Sequence, residues 1–161
     1  MKKIVGVIGS IIGFLIVSVI VNGISERNDP SSPRQVVPAG NKSLEDFLPE
    51  VVEEMKRKLP LPIQLDDYTV VYDVEAFGSQ VIYRNRLIGI AASDARSVNL
   101  IGALAPEVRA NACANEQMHL IFDLGASALY TYVDEAEEEV GSILVTPAQC
   151  EQLRASPSQP Q

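Results

Sequence analysis

The sequence predicts an α+β domain: a four-stranded antiparallel sheet with helices on one face, preceded by an N-terminal transmembrane helix. Three observations indicate this class. An uncharged apolar run opens the chain, two pairs of strand-like runs follow, and segments with helical period surround those pairs. They divide the chain into a membrane anchor (1–24), a flexible linker (25–42), a folded domain (43–153) and a disordered tail (154–161).

The anchor is the run from Ile4 to Val21, 18 residues without a charge. As a helix it spans about 27 Å, close to the hydrocarbon thickness of a bilayer. Lys2 and Lys3 precede the run, so the positive-inside rule places the N-terminus in the cytoplasm and the domain on the other side. A signal peptide cleaved after Gly23 is the alternative.

Two glycines within the anchor, Gly9 and Gly13, are four residues apart. Small residues at this spacing let two membrane helices approach closely. A weak homodimer through this pair is therefore one hypothesis, although glycine is common in membrane helices.

The chain is strongly acidic. It carries 13 basic and 21 acidic side chains, and without Lys2 and Lys3 the remainder has 11 against 21, a formal net charge of −10. Such a domain repels phosphate backbones and anionic lipid headgroups. We therefore expect no nucleic-acid partner, and contact with lipid only through the anchor.

The first helix of the domain is predicted to begin near Pro49, because proline is tolerated in a first turn. Acidic residues follow it and basic residues come before Pro60, which suits the helix dipole. Pro60 must end the helix. The apolar stripe consists of Val51, Val52 and Met55.

The first strand pair is TVVYDVEA and QVIYRNRLI, joined by Phe77-Gly78-Ser79. Gly-Ser is suited to a tight hairpin turn. Strict alternation predicts one buried and one wet face for the first strand. The predicted buried side consists of Val70, Tyr72, Val74 and Ala76, and the wet side of Thr69, Asp73 and Glu75.

The helical period from Ser93 to Leu124 predicts helices between the strand pairs. Ser93 or Asp94 is the expected N-cap, and Pro106 is expected to break or kink the run. Asn115 is predicted to cap a further helix that ends at Gly125.

The second strand pair is ALYTYVD and EVGSILV, joined by the acidic turn 135–138. After it, Thr146 and Gln149 form a capping pattern for one final helical turn. The predicted sheet therefore consists of two hairpins.

Cys113 and Cys150 are the two cysteines of the chain. Outside the membrane two cysteines are expected to form a disulfide. It closes a loop of about 37 residues and contributes about 4 kcal/mol. A redox pair favours C-x-x-C spacing and zinc needs about four ligands, so both are weaker readings.

We find no catalytic constellation and predict no cofactor and no metal. His119, the one histidine, lies on a predicted helix among apolar residues and reads as a packing or surface residue. Adjacent acids such as Asp66-Asp67 mark solvated turns, although a glycosidase-like pair across a cleft cannot be seen in a sequence. The acidic turn lacks the spacing of a calcium loop.

The soluble part resembles a family of small, uncharacterised, membrane-anchored or secreted bacterial proteins with a terminal TP-x-x-C motif. The resemblance implies a disulfide-bonded envelope domain in a Gram-negative bacterium, and no activity. In such a cell the predicted anchor lies in the inner membrane and the domain in the periplasm. One departure is that the turn after Tyr132 is expected to read D-x-x-G, whereas Gly141 comes late, so the hairpin is expected to be longer or differently registered. The matching segments are Leu59-Pro60, Asp66 to Val71, Val81 to Tyr83, Cys113 to Met118, Leu124-Gly125, Tyr130 to Asp134 and Val145 to Cys150.

Three functions are compatible with these features. The preferred one is a non-enzymatic envelope protein that binds another protein, because exposed sheet edges can accept a partner's strand. The alternatives are an immunity or exclusion factor of phage or plasmid origin, and a periplasmic hydrolase that uses surface carboxylates.

Overall fold

The computed structural model describes residues 43–155. The predictions for Lys2, Lys3, Ile4, Gly9, Gly13, Val21 and Gly23 concern residues outside this range. Within it, no helix has the length and apolar character that crossing a bilayer requires. The elements are α1 (Leu44–Lys58), β1 (Ile63–Gln64), β2 (Thr69–Phe77), β3 (Gln80–Leu87), α2 (Ala92–Ser97), α3 (Leu100–Ala114), α4 (Glu116–Asp123), β4 (Ser127–Val133), β5 (Glu139–Val145) and α5 (Pro147–Ala155).

The sheet has five strands in the order β1-β2-β3-β4-β5. The α+β class is confirmed, but the predicted four-stranded antiparallel sheet is wrong in two respects. The short strand β1 pairs antiparallel with β2, as Ile63 opposite Val71. In the centre β3 and β4 are parallel, because α2, α3 and α4 form a crossover that returns the chain to the starting end of β3.

One face of the sheet is packed against the helices. Along β3, alternate residues are buried, and those between them are half-buried; the buried residues are Val81, Tyr83, Asn85 and Leu87. Tyr83 reaches Met118 of α4, and β5 approaches α3 at Gly141, where an added Cβ would lie 3.1 Å from Ile101. We call the opposite side the uncovered face, because none of the described helices packs on it.

Helix α1 begins earlier than the sequence predicted. The side chain of Ser43 caps it by accepting the N–H of Asp46 at 3.3 Å. Pro49 therefore lies inside the helix rather than in its first turn. The added turn brings Leu48 into the core, where it is fully buried together with Met55.

A β-bulge between Val71 and Asp73 changes which residues of β2 are buried. Before the bulge Thr69 and Val71 are buried, and after it Val74 is. An extra residue in one strand shifts the alternation of its faces, so a single alternating pattern cannot hold on both sides of the bulge. The prediction is right for Val74 after the bulge and wrong before it, where Thr69 is buried and Val70 and Tyr72 are half-buried.

The crossover divides at a different residue from the predicted one. Asn99 adopts a left-handed conformation with φ of 50° and separates α2 from α3. Pro106 lies inside α3 and ends no helix. The N-cap of α2 is Ala91, so the predicted caps Ser93 and Asp94 lie within the helix.

Several turns are confirmed. Gly78 takes a positive φ of 56° in the two-residue loop between β2 and β3, and Gly125 takes one of 84° after α4. Thr146 accepts the N–H of Gln149 while the Gln149 side chain accepts that of Thr146, which is a reciprocal capping box. The helix it starts, α5, extends beyond the single predicted turn to Ala155.

Candidate functional site

A disulfide joins Cys113, at the end of α3, to Cys150 in α5. Their Cα atoms are 5.0 Å apart and both residues are buried. Cys150 is the one buried residue of α5. The bond therefore fastens a helix that has little apolar packing of its own.

His119 caps the helix that carries one of these cysteines. Its Nε2 lies 2.9 Å from the carbonyl oxygen of Cys113. Because a carbonyl only accepts, Nε2 carries the proton and donates it. The histidine therefore bonds to the backbone beside the disulfide, a role more specific than the packing or surface residue that the sequence predicted.

Asp134 organises the turn between β4 and β5 and the start of α2. Its Oδ2 accepts the N–H of Ala92 at 2.9 Å, which caps a helix whose own N-cap, Ala91, offers no side-chain acceptor. Its Oδ1 accepts the N–H groups of Ala136 and Glu138, each at 2.9 Å. These bonds, first that from Ala92, lower the pKa of Asp134, and the nearby charge of Arg96 adds to the effect.

The acidic turn is engaged within the domain. Glu135 accepts the N–H of Gly89 at 3.0 Å, Glu137 pairs with Arg86 at 3.0 Å, and Glu138 pairs with Arg96. In the part of the chain that the structure describes, no group of three or more possible ligands is placed to hold a metal ion.

The same turn replaces the expected D-x-x-G. Glu137 stands three residues after Asp134, where that pattern has glycine, and adopts a φ of 63°. The pairing of β4 with β5 has an irregularity between Tyr132 and Val133, where the partner residue advances from Gly141 to Glu139.

Buried tyrosines fill the centre of the sheet. The rings of Tyr83 and Tyr130 stack with centroids 5.0 Å apart and planes within 12°. Burial raises the pKa of both phenols and that of Tyr132. They therefore stay protonated near neutral pH and act as packing residues rather than as acids or bases.

The uncovered face presents an apolar row across three strands. Ile82, Leu129 and Leu144 lie opposite one another on β3, β4 and β5. At the end of β2, Phe77 is 75% exposed on the same side. Ile82 and Leu129 are half-buried, and Leu144 is exposed. An apolar row at the surface is typical of a protein-interaction site.

Charged and aromatic side chains border this row. Arg84 donates two hydrogen bonds to Glu75, at 2.9 and 2.8 Å. The guanidinium of Arg86 lies 4.7 Å from the ring centroid of Tyr72. A polar rim around an apolar centre is the usual arrangement of a protein interface.

The two edges of the sheet are protected unequally. On β5, the carbonyl oxygens of Glu139 and Leu144 accept hydrogen bonds from Arg96 and Arg109 respectively. On the other side, β1 pairs only with Val70 and Val71 of β2. Within the described residues, the rest of β2 has a neighbouring strand on one side alone.

Comparison with known proteins finds the same fold. No known protein family matches the sequence, and no curated protein does. A protein of Pseudomonas aeruginosa described as secreted has a similar structure, with a TM-score of 0.58 and 17% identity over 70% of this chain and 98% of that one. A pilotin of the type 2 secretion system of Vibrio vulnificus has a TM-score of 0.54 and 17% identity over 73% of this chain and 94% of that one.

Two features of this region were missed from the sequence. The sequence patterns do not predict the hydrogen bonds of Asp134 or those of Arg96 and Arg109. An aspartate directly after a strand was the available signal for the first. The arginines gave none, because their carbonyl acceptors lie 43 and 35 residues further along the chain.

Proposed function

We propose that this chain is a membrane-anchored periplasmic protein without enzymatic activity, which serves an envelope machinery by binding another protein. The observation that carries the proposal is the uncovered face, where an apolar row is bordered by the ion pair of Arg84 with Glu75. The row consists of Ile82, Leu129 and Leu144. An apolar row at a water-exposed surface is stabilised when a partner covers it.

The state of the candidate reactive groups supports a non-enzymatic role. His119 and both cysteines have structural tasks, and the acids of the turn bond to Gly89, Arg86 and Arg96. A nucleophile or general base must instead face a substrate with its reactive atom accessible.

The proposed location follows from the anchor and the disulfide. Lys2 and Lys3 before the apolar run Ile4 to Val21 favour a cytoplasmic N-terminus. A disulfide between Cys113 and Cys150 suits the oxidising periplasm. We therefore place the chain in the inner membrane, with the domain in the periplasm.

The likeness to a pilotin suggests the kind of machinery. That protein belongs to a type 2 secretion system. We infer a comparable accessory role for this chain, in the assembly or operation of a multiprotein complex of the envelope, and membership of the envelope family with the terminal TP-x-x-C motif.

Photocrosslinking in living cells tests the proposal. A photoreactive residue replaces Leu129 or Leu144 on the uncovered face in the full-length, membrane-embedded chain. Matched controls replace Val98, in the turn between α2 and α3, or Leu153 on α5, which are 69% and 48% exposed and are not part of the sheet. One discrete product at both face positions and at neither control supports the proposal. Equal products at all four positions, or none at the face, contradict it.

A further inference from the structure

We propose that the turn between β2 and β3 docks on the surface of the membrane that holds the anchor, with the ring of Phe77 inserted among zwitterionic phospholipids. The inference rests on the proposed function, because it takes the anchored periplasmic topology as given. It adds an orientation, in which the domain stands on this turn and keeps the rest of the uncovered face accessible to its partner.

The chain enters the domain beside this turn. Helix α1 runs antiparallel to β2, since Lys56 near its end pairs with Asp73 at 2.9 Å while Glu45 at its start reaches the turn. A Cβ added to Gly78 would lie 4.0 Å from Oε1 of Glu45. The segment that leads to the predicted anchor therefore leaves from the end of the domain where Phe77 lies.

The length of that segment keeps the turn close to the bilayer. Residues 25–42 separate the predicted anchor from the domain, and 18 residues span at most about 60 Å when fully extended. A link of this length turns the contact between turn and bilayer into an intramolecular event, for which a weak attraction is sufficient. A single inserted side chain can therefore set the orientation of a domain that the anchor already holds at the surface.

The turn presents an apolar group at its tip. Phe77 is 75% exposed, the highest value among the large apolar side chains of the part of the chain that the structure describes. The outward-facing residues of β3 change from Ile82 near the turn to Arg84 and Arg86 further along the strand. The apolar part of the uncovered face thus lies at the end from which the chain leaves, where contact with a bilayer would cover it.

Charge selects the type of lipid. The segments at this end, 43–49 and 75–80, contain acidic residues and no basic one. Glu75 is paired with Arg84, whereas Glu45 lies at the turn itself. A negative charge there is repelled by anionic headgroups and attracted by the ammonium group of phosphatidylethanolamine or phosphatidylcholine. The proposed contact therefore agrees with the repulsion from anionic lipid that the net charge predicts.

Fluorescence quenching in vesicles tests the inference, because the chain contains no tryptophan. Ser79→Trp adds one indole at an exposed position of the turn and leaves Phe77 intact. Val98→Trp is the matched control, since Val98 is 69% exposed and lies between α2 and α3, outside the sheet. Each full-length variant is inserted into phosphatidylcholine vesicles with brominated acyl chains, which quench an indole that enters the bilayer. We expect about a twofold loss of emission for Ser79→Trp and none for Val98→Trp.

A second substitution shows whether Phe77 is the inserted group. Phe77→Asp in the Ser79→Trp background is expected to abolish the quenching, because an unpaired charge is costly to move out of water. Phe77 is exposed, so this change leaves the core intact. Quenching that persists without Phe77, or that is equal for Ser79→Trp and Val98→Trp, overturns the inference.

The lipid composition tests the role of charge. Exchange of half of the zwitterionic lipid for phosphatidylglycerol at low salt is expected to reduce the quenching about twofold, because the anionic surface repels the turn. Glu45→Gln is expected to lessen that sensitivity, and Glu151→Gln, which changes an exposed acid on α5, is expected to leave it unchanged. Stronger quenching on the anionic vesicles overturns the choice of zwitterionic lipid.

A protein partner at the turn is the competing outcome. Absence of quenching overturns lipid docking, and a protein crosslinked in cells to a photoreactive residue in place of Phe77 would then make the ring part of the protein interface. The proposed function is tested separately at Leu129 and Leu144. Crosslinking there without quenching of Ser79→Trp leaves the proposed function standing and rejects the docked turn alone, whereas quenching without crosslinking does the reverse.

Discussion

The two ends of the sheet are held in different ways. The β5 end is fastened by a disulfide through α3 and α5, by Asp134 to α2, and by arginines on the edge carbonyls. The β2 end is held by the apolar face of α1, by the half-buried ion pair of Lys56 with Asp73, and by the two hydrogen bonds from Arg84 to Glu75. Ion pairs occur at both ends, whereas the covalent cross-link lies at the β5 end.

This difference suggests a division of roles. Segments that bind partners are drawn from the less protected parts of a structure, because binding must add order that the free protein lacks. The β5 end has its backbone groups and its acids engaged within the domain. The β2 end presents Phe77 at an exposed turn, so we expect it to exchange faster in the free chain and to gain protection when the turn is covered.

Of the changes considered, removing the disulfide is expected to lower the stability of the β5 end the most. For the double variant Cys113→Ala/Cys150→Ala we expect a loss of about 4 kcal/mol in the free energy of unfolding, because the denatured chain is no longer cross-linked across 37 residues. Urea unfolding of the full chain measures it.

Hydrogen exchange adds a local readout to the same variant. Amides of α5 should lose protection first, since Cys150 is its one buried residue. Val98→Ala is the matched control at an exposed site. A loss below about 1 kcal/mol would show that packing, and not the cross-link, secures this end.

The substitution Asp134→Asn should loosen the same end in a pH-dependent way. The pKa of Asp134 is lowered in the folded chain, chiefly by the N–H of Ala92. A depressed pKa gives stability that is present above the unfolded value of about 3.9 and is lost as the pH falls through the folded value. The variant should therefore be less stable than the wild type at pH 7.

At low pH the two proteins should converge, because the wild-type carboxyl is then protonated as well. Thermal unfolding at a series of pH values measures the gap. Asp123→Asn, at an exposed position on α4, is expected to open no such gap. A gap for Asp134→Asn that is constant from pH 7 to below the folded pKa would mean that shape, and not charge, is responsible.

The sequence predicted features that local chemistry determines. The Gly78 turn, the Thr146 capping box and the strands β4 and β5 depend on neighbouring residues, and all are found. The prediction from sequence was wrong for features that depend on packing between segments far apart in the chain. The bulge in β2 and the parallel pairing of β3 with β4 arise from contacts between segments far apart in the chain.

The same distinction between local chemistry and distant packing applies to the candidate site. The sequence predicts the disulfide, because two cysteines outside the cytoplasm are expected to pair. It also predicts that the sheet has exposed edges, without saying which strand forms them. Which strands form the edges follows from the five-strand order, and the protection of the β5 edge follows from arginines that bond across the fold. Neither is encoded in a local pattern of residues.

The smallest effect is expected at Glu137, where a change should strengthen the β5 end. Its φ of 63° is a left-handed conformation that costs a residue with a Cβ about 1–2 kcal/mol. Glycine removes that strain, although it loses more conformational freedom on folding, by about 0.5–1 kcal/mol. We therefore expect Glu137→Gly to be about 1 kcal/mol more stable than Glu137→Ala.

Alanine is the correct reference for that measurement, because both variants lose the ion pair with Arg86 and differ only at the Cβ. Comparison with the wild type would mix the relief of strain with the loss of a partly exposed ion pair, which is worth up to about 1 kcal/mol. If urea unfolding shows glycine and alanine to be equally stable, the turn relaxes without the left-handed residue. The tight β4–β5 connection would then owe its shape to the Asp134 hydrogen bonds alone.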